Sequence, residues 1–405
     1  MKQNRKIYFC EMALVAIALV NLFLISPSEG ASTKVAVDRW TIPFINAVTG
    51  PAAGLGIPLD WCQDQAVNDI NSAGGIAGKP LVIEKCDEAM DPTRAASCMK
   101  KAATGGLVVM GPMTSLSIRV AQPIAKSAEV MMLVAYISPE FIQDGRPWIV
   151  SLSRNLEYRA EFDMSNWVQR NPEMKKVVIF QLPIIAEWRD LVKAHKKSLE
   201  KRGVQVLDVI DVAQGSLDVS SAVVRALKLN PDGIDTVLWA SDTVRVIREL
   251  GNRGFKDTKR IFIHQSADLS ELYTMAAEAN NALDGCYMGA FAITPTTPVG
   301  KRLFEGYRKL KGQENARKIA WAGEGYYIAT YLIKEAIEMT GVTGDPGKLK
   351  QERTMIRDYL NSVKDYDAPM WGRISSIEGG GFTIPLYFTQ IENSKPVPIT
   401  STIQK

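Results

Sequence analysis

Two doubly wound parallel-sheet α/β lobes, joined by a hinge of several chain segments, are the fold this 405-residue sequence predicts. Three observations carry that reading. Short β-rich runs alternate with helical stretches from about residue 33 to 136. The alternation restarts at "KKVVIFQ" (175–181) and continues to 266. A tail of long helices and short β-rich runs then follows, as if the chain returned to both sets. Alternating β and α elements imply parallel strands with helices on both faces.

Each element has its own signal. "TKVAV" (33–37) is strand-like, and "LDWCQDQAVNDINSAGG" (59–75) carries apolar residues at helical spacing and stops at paired glycines. "PLVIEKC", "LVVMG" and "VMMLVAY" are β-rich runs, separated by the helical "PTRAASCMKKAAT" and "SIRVAQPIAKSA". The boundary falls near "WIVSLSRN" (148–155). In the second set, "AEWRDLVKAHKKSLEKRG", "SSAVVRALKLNP" and "TVRVIRELGNRGF" are helical, while "VQVLDVIDV", "DTVLWAS" and "RIFIHQS" are strands. In the tail, "AWAGEGYYIATYLIKEAIEMTG" and "LKQERTMIRDYLNSV" are amphipathic helices, and the β-rich "PMWGRISSI" and "FTIPLYFTQI" read as a hairpin-like pair around "GGG". The expected division is 32–152 with about 292–370 in the first lobe, and 153–291 with about 371–405 in the second.

The N-terminus reads as an export signal. Cationic "MKQNRK" precedes the apolar "MALVAIALVNLFLI" and the small, polar "SPSEGAS", with cleavage expected near Ala31. That apolar run is too short for a stable transmembrane helix, so a periplasmic location is expected. In an oxidising compartment cysteines carry meaning. Cys86 and Cys98 flank a turn and are the favoured pair. Cys62 bonded to either is the competitor, and buried thiols, with Cys286 among them, are the remaining possibility.

Composition and motifs exclude several functions. Apolar residues are 46%, charged residues 23% and the net charge is +4, with no basic run to attract nucleic acid. No G-x-S-x-G elbow, Walker loop or H-E-x-x-H motif occurs, so an enzyme is not expected. The glycine-rich "TGPAAGLG" (49–56) lacks G-x-G-x-x-G spacing. With two histidines and no C-x-x-C, neither metal nor cofactor is expected. His195, within "KAHKKSLEK", reads as a solvated helix face; His264 reads as a cleft rim or a strand end.

Polar and glycine residues gather where strands end: "TGPAAGLG", "GPMTSLS", "AYISPE", "QLPIIAEW", "ASDTVR" and "HQSADLS". Ligands of open parallel sheets bind beyond the carboxyl ends of strands, at the topological switch point. Thr114 and Ser115 open a helix, so they either offer donors to an anion or simply cap that helix.

These segments resemble the periplasmic leucine/isoleucine/valine-binding proteins, type I solute-binding proteins of ABC importers. The likeness rests on "DIN-x-x-GGI-x-G" (Asp69, Asn71, Gly74, Gly75, Gly78), on Asp87, Asp91 and Pro92, and on "GPMTSLSIRVAQPIA". It implies two lobes closing on a ligand, a permease partner and a monomer. It also implies that Leu55 touches an apolar part of the ligand. Ser115, with Met113 and Thr114 beside it, would hold a carboxylate, and Ile137 and Ser138 would meet an ammonium. In the second lobe, Ile185 replaces a common tyrosine, and Ser241 and Asp242 lie near a ligand-facing loop. Gln265 stands where amino-acid binders carry the acid that pairs with the ammonium; Asp268, Asp242 or Glu157 are the substitutes. Trp40 and Phe44 would either wall the cleft or pack beneath its first loop. The expected ligand is a carboxylate- or amide-bearing molecule with an apolar body. The rival functions are a sensor for a membrane receptor and a branched-chain amino-acid binder with another acidic partner.

Overall fold

The computed structural model describes residues 35–135, 139–153, 156–184, 186–290, 297–312, 319 and 323–403. The signal segment, Ile137, Ser138 and Ile185 lie outside them. In chain order the first set is β1 (Trp40–Asn46), α1 (Ala53–Ser72), β2 (Leu81–Asp87), α2 (Pro92–Gly105), β3 (Val108–Met110), α3 (Ser115–Ser127), β4 (Met131–Val134), α4 (Pro139–Gly145) and β5 (Ile149–Ser151). The second is α5 (Leu156–Arg170), β6 (Lys176–Gln181), α6 (Ala186–Glu200), β7 (Gln205–Asp211), α7 (Ser220–Lys228), β8 (Gly233–Val237), α8 (Ala240–Asn252), β9 (Ile261–Ile263), α9 (Ser270–Glu278) and β10 (Tyr287–Ala290). The tail comprises α10 (Pro298–Lys311), α11 (Glu324–Thr340), α12 (Leu349–Asn361), β11 (Tyr366–Ala368), β12 (Gly372–Ile374), β13 (Ser376–Ile377), β14 (Gly381–Phe382), β15 (Pro385–Glu392) and β16 (Lys395–Ile403).

Two seven-stranded sheets result. The first runs β13-β14-β5-β4-β3-β1-β2 and the second β16-β15-β10-β9-β8-β6-β7. Pairing is parallel from β14 to β2 and from β10 to β7, and the tail strands add antiparallel pairs at one side of each sheet. Strands β13 and β14, expected with the second lobe, pair in the first sheet; the chain enters the second at β15. The sheets' outer strands are β2 and β13 in one, and β7 and β16 in the other. β7 opposes β6 across a register shift, and β16 carries Pro396 and Pro398.

The first strand also departs from expectation. The first strand is Trp40–Asn46, and residues 35–37 are not in a strand. Pro43 disguised it, because a missing N–H argues against a central strand. Ile42, Phe44 and Ile45 are buried nonetheless, and that burial outweighs the lost ladder bond. Trp40 and Phe44 are therefore core residues, not cleft walls. The Trp40 indole donates to the Ile76 carbonyl at 3.0 Å, and the Phe44 ring sits 5.0 Å from that of Tyr326 in α11.

The "DIN-x-x-GGI-x-G" residues build the α1–β2 connection. The Asn71 side chain donates to the Leu81 carbonyl at 2.9 Å and accepts from its amide at 2.7 Å, fixing where β2 starts. Asp69 accepts from Arg302 and from the Tyr327 hydroxyl, so α1 is held to α10 and α11 from the far end of the chain. Cys86 and Cys98 are bonded to each other, tying β2 to α2; Cys62 and Cys286 are buried thiols.

Candidate functional site

Strand order locates the switch points. In the first sheet β1 lies between β2 and β3; in the second β6 lies between β7 and β8. The chain leaves β1 and β3 in opposite lateral directions, as it does β6 and β8, and a crevice opens between such loops. Leu55, Met113, Thr114 and Ser115 flank the first point, and Ser241 and Asp242 follow β8 at the second. Gln265 follows β9, one strand further along.

The loop after β1 is pinned from outside the crevice. Asp87 accepts from the Val48 and Thr49 amides at 3.1 and 3.3 Å and from the Thr49 hydroxyl at 2.5 Å. Those bonds hold the Asp87 carboxyl below the ordinary carboxylate range despite some desolvation. Asn46 donates to the Gly56 carbonyl at 2.8 Å, closing the loop onto the first turn of α1. The glycine-rich stretch thus wraps its own backbone, and half-buried Leu55 faces partly into the first core.

The loop after β3 starts with Gly111 at φ +78°, where a Cβ would lie 1.9 Å from the Ile45 carbonyl oxygen. Only glycine allows β1 and this loop so close together. Thr114 is the N-cap of α3, its Oγ1 accepting from the Ser117 amide at 3.4 Å. The Thr114 hydroxyl donates to Ser117 Oγ at 3.0 Å, and Ser117 donates to Glu88 Oε2 at 2.8 Å. Ser115, at the first helical position, is half-buried, and its hydroxyl bonds to none of the described residues. The cap is Thr114, which leaves Ser115 available.

Glu88 was not singled out in the sequence, where it lies in the stretch between Cys86 and Cys98. It is fully buried under α3, its Oε1 meets no partner among the described residues, and burial pushes its carboxyl up. An acid directly after a strand beside the switch point was the available signal.

On the second lobe each substitute acid has a partner. Asp242 accepts from the Gly215 amide at 3.0 Å and from Arg245 at 2.9 Å. Asp268 accepts from the Tyr273 hydroxyl at 2.6 Å. Glu157 is exposed on α5 and sits 3.7 Å from Lys197 of α6. Gln265 is buried, and its Oε1 has no hydrogen-bond partner among the described residues. Ile184, after β6, is an apolar side chain 69% exposed.

Both histidines correct or narrow the sequence reading. His195 is not on a solvated face; it is fully buried, with Nδ1 2.7 Å from Asp235 Oδ2 in β8. A carboxylate inside the apolar run of β8 requires a partner, and α6 turns His195 inward to supply one. His264 is a buried strand end, its Nδ1 accepting from the Ser266 amide at 3.2 Å. Desolvation holds its imidazole well below the ordinary histidine range, with His195 and Arg159 adding to the effect. No group of His, Cys, Asp and Glu among the described residues is arranged to hold a metal ion, and no described helix is long and apolar enough to cross a membrane.

A groove of about 740 Å³ opens elsewhere, between α5, α6 and the turn after β13. It is open and charged, and Lys197 and Lys201 on its wall already face Glu157 and Glu161. The strand-end loops, with a hydroxyl and an amide oxygen that meet no partner among the described residues, are the better candidate site.

Residues 39–396 match the periplasmic binding protein family model. The chain belongs to that family. The binding protein is 25% identical over 328 residues to the Leu/Ile/Val-binding protein BraC3 of Rhizobium johnstonii, covering 74% of this chain and 88% of that one. Its fold is that of a Rhodopseudomonas palustris BisB5 ABC-transporter solute-binding protein solved with 3,4-dihydroxybenzoic acid (TM-score 0.71, 19% identity, 91% and 98% of the two chains). It is equally that of the Streptococcus pneumoniae branched-chain amino-acid substrate-binding protein LivJ solved with isoleucine (TM-score 0.69, 19% identity, 90% and 99%). The binding protein thus has the two-lobed type I architecture, and its family is one of solute carriers.

Proposed function

We propose that the binding protein captures an organic carboxylate with an apolar body between its lobes outside the cytoplasm and delivers it to an ABC import permease. The single observation that carries the ligand class is the state of the second-lobe acids. Asp242, Asp268 and Glu157 each face a protein partner, and Gln265 stands in the position that would neutralise an ammonium. A buried ammonium without an opposing carboxylate costs more in desolvation than a neutral amide returns. Ser115, at the start of α3, takes the carboxylate, where helix-terminal N–H groups favour negative charge. The Gln265 amide oxygen accepts from a ligand hydroxyl or N–H, and Leu55 meets its apolar body; the family resemblance adds Met113, Ile137, Ser138 and Ile185 to the ligand-contacting set. Work is done by differential affinity for the open and closed forms, with no chemical step.

Calorimetry against leucine, isoleucine, valine, their deaminated acids, benzoate and 3,4-dihydroxybenzoate tests the reading. One or more of the acids should bind more tightly than any of the amino acids. Tight binding of leucine with none of the acids would sink it. The second reading, a branched-chain amino-acid binder, is favoured by the buried Asp242 Oδ2, which has no partner among the described residues.

A further inference from the structure

Arg159 is an unusual core residue. It lies in the first turns of α5 with a side-chain exposure of 1%, beside Asp163 at 0%. Its Nε donates to Asp163 Oδ2 at 2.5 Å, its Nη1 to the Ala290 carbonyl at 3.3 Å and its Nη2 to the Tyr387 carbonyl at 3.0 Å. Ala290 is the last residue of β10, and Tyr387 is near the start of β15. These positions matter because the chain passes between the two sheets at three places. It leaves β5 to begin α5 at Leu156, it leaves β10 after Ala290, and it enters β15 at Pro385. One side chain therefore holds the second-sheet end of all three passages.

The surroundings are shaped for it. Gly289 stands opposite, and a Cβ there would lie 2.1 Å from Nη2 and 2.7 Å from the Asp163 carboxylate. Burial pushes the Asp163 carboxyl up against the pull of Arg159. A buried ion pair is weak evidence for stability, since well-packed apolar residues of similar volume do as well. What apolar residues cannot do is donate in a planar fork to two separate strands. The same buried array reaches the ligand side: His195 pairs with Asp235, and its ring lies 5.7 Å from that of His264, next to Gln265.

We infer that Arg159 is the positioning residue of the hinge. It clamps the three chain passages to the second lobe as one block, so that Leu156, Ala290 and Tyr387 move together with that lobe during opening and closing. The inference rests on the two-lobe capture reading.

Spin labels at Thr104→Cys on α2 and Lys228→Cys on α7, both exposed positions, report the distance between lobes. Arg159→Lys keeps the charge and the Asp163 pair but loses the fork. In the ligand-free protein its distance distribution should be broader than the parent's. Apparent affinity for the tightest ligand of the calorimetric panel should fall about threefold or more, because the closing-competent fraction drops. A folded Lys variant with the parental distribution overturns the inference, whereas a merely structural role would lower thermal stability and leave the distribution alone. Should the variant fail to fold, hydrogen exchange on the unmodified protein decides. Amides of Met288–Ala290 and of Phe388 and Thr389 should then exchange as slowly as the centre of β8, and exchange at loop rates overturns the inference. If that ligand leaves the parent's distance unchanged, the capture reading falls and the hinge role with it.

Discussion

Ser115 and Thr114 are adjacent, yet the structure gives them different work. Thr114 already satisfies the Ser117 amide and reaches Glu88 through the Ser117 hydroxyl, so replacing it disturbs α3 itself. Ser115 carries no such duty. A hydroxyl bonded to a ligand carboxylate is worth roughly 1.5–3 kcal/mol, so Ser115→Ala should weaken binding by about tenfold or more while thermal stability stays at the parental value. Calorimetry with the tightest-binding acid checks this, and affinity within a factor of about two of the parent, less than 0.5 kcal/mol, would reduce Ser115 to an ordinary first helical residue. His264 supports a second expectation. Its imidazole is kept neutral in the fold, whereas in the unfolded chain it takes a proton near its ordinary pKa of about 6.5. The unfolded state therefore binds more protons below that value, and stability falls as pH drops from about 6.5 toward the depressed folded pKa. Asp163 opposes this at lower pH, since its raised pKa lets the folded state protonate first. Glu161, held at about 2 by Arg202, adds a further loss as pH falls from 4.5 toward that value. Urea midpoints should be lower at pH 5.5 than at pH 7.5, and less so in His264→Leu; equal midpoints in the parent would contradict this.

At the scale of elements, the α1–β2 connection shows why a sequence motif can be specific without touching a ligand. Asn71 makes both bonds to Leu81 that a neighbouring strand would otherwise make. Asn71→Ala leaves that amide and carbonyl without partners and should cost about 1–3 kcal/mol, read as a lower urea midpoint with ligand affinity retained. A change in affinity with unaltered stability would instead place Asn71 in the site. The same scale explains which elements were legible. Alternating β and α runs gave both sheets, because strands buried on both faces leave continuous apolar stretches. The first strand was displaced because Pro43 interrupts its β signal while "KVAV" imitates one. The Cys86–Cys98 bond was among the open pairings, and the structure selects it because α2 lies directly against β2.

For the whole molecule, the loops at the switch points could be identified from sequence because position after a strand is a topological fact. The direction of individual side chains could not. His195 sits amid lysines and looks solvated, yet one face of α6 meets the sheet, and only Asp235 in the facing strand hints at where the ring turns. Glu88 and Arg159 were hidden for the same reason: their partners are brought together by tertiary packing from residues as distant as Ser117 and Tyr387.

The outer strands of the two sheets bear on a different matter, the behaviour of the protein in a crowd. An unpaired strand edge is a template for another copy. β2 presents exposed Glu84 and Lys85 at one such edge, and β13 is two residues long at the other. β7 is thrown out of register against β6 between Val177 and Val178, with Asp208 just past the shift. β16 places Pro396 and Pro398 two residues apart, so their missing N–H groups point to the same side, and only the solvent side tolerates that. Among the described residues, each outer strand thus carries charge, shortness, a broken register or prolines that oppose stacking of identical chains. Resistance to edge-to-edge stacking is a property of the outer strands of both sheets.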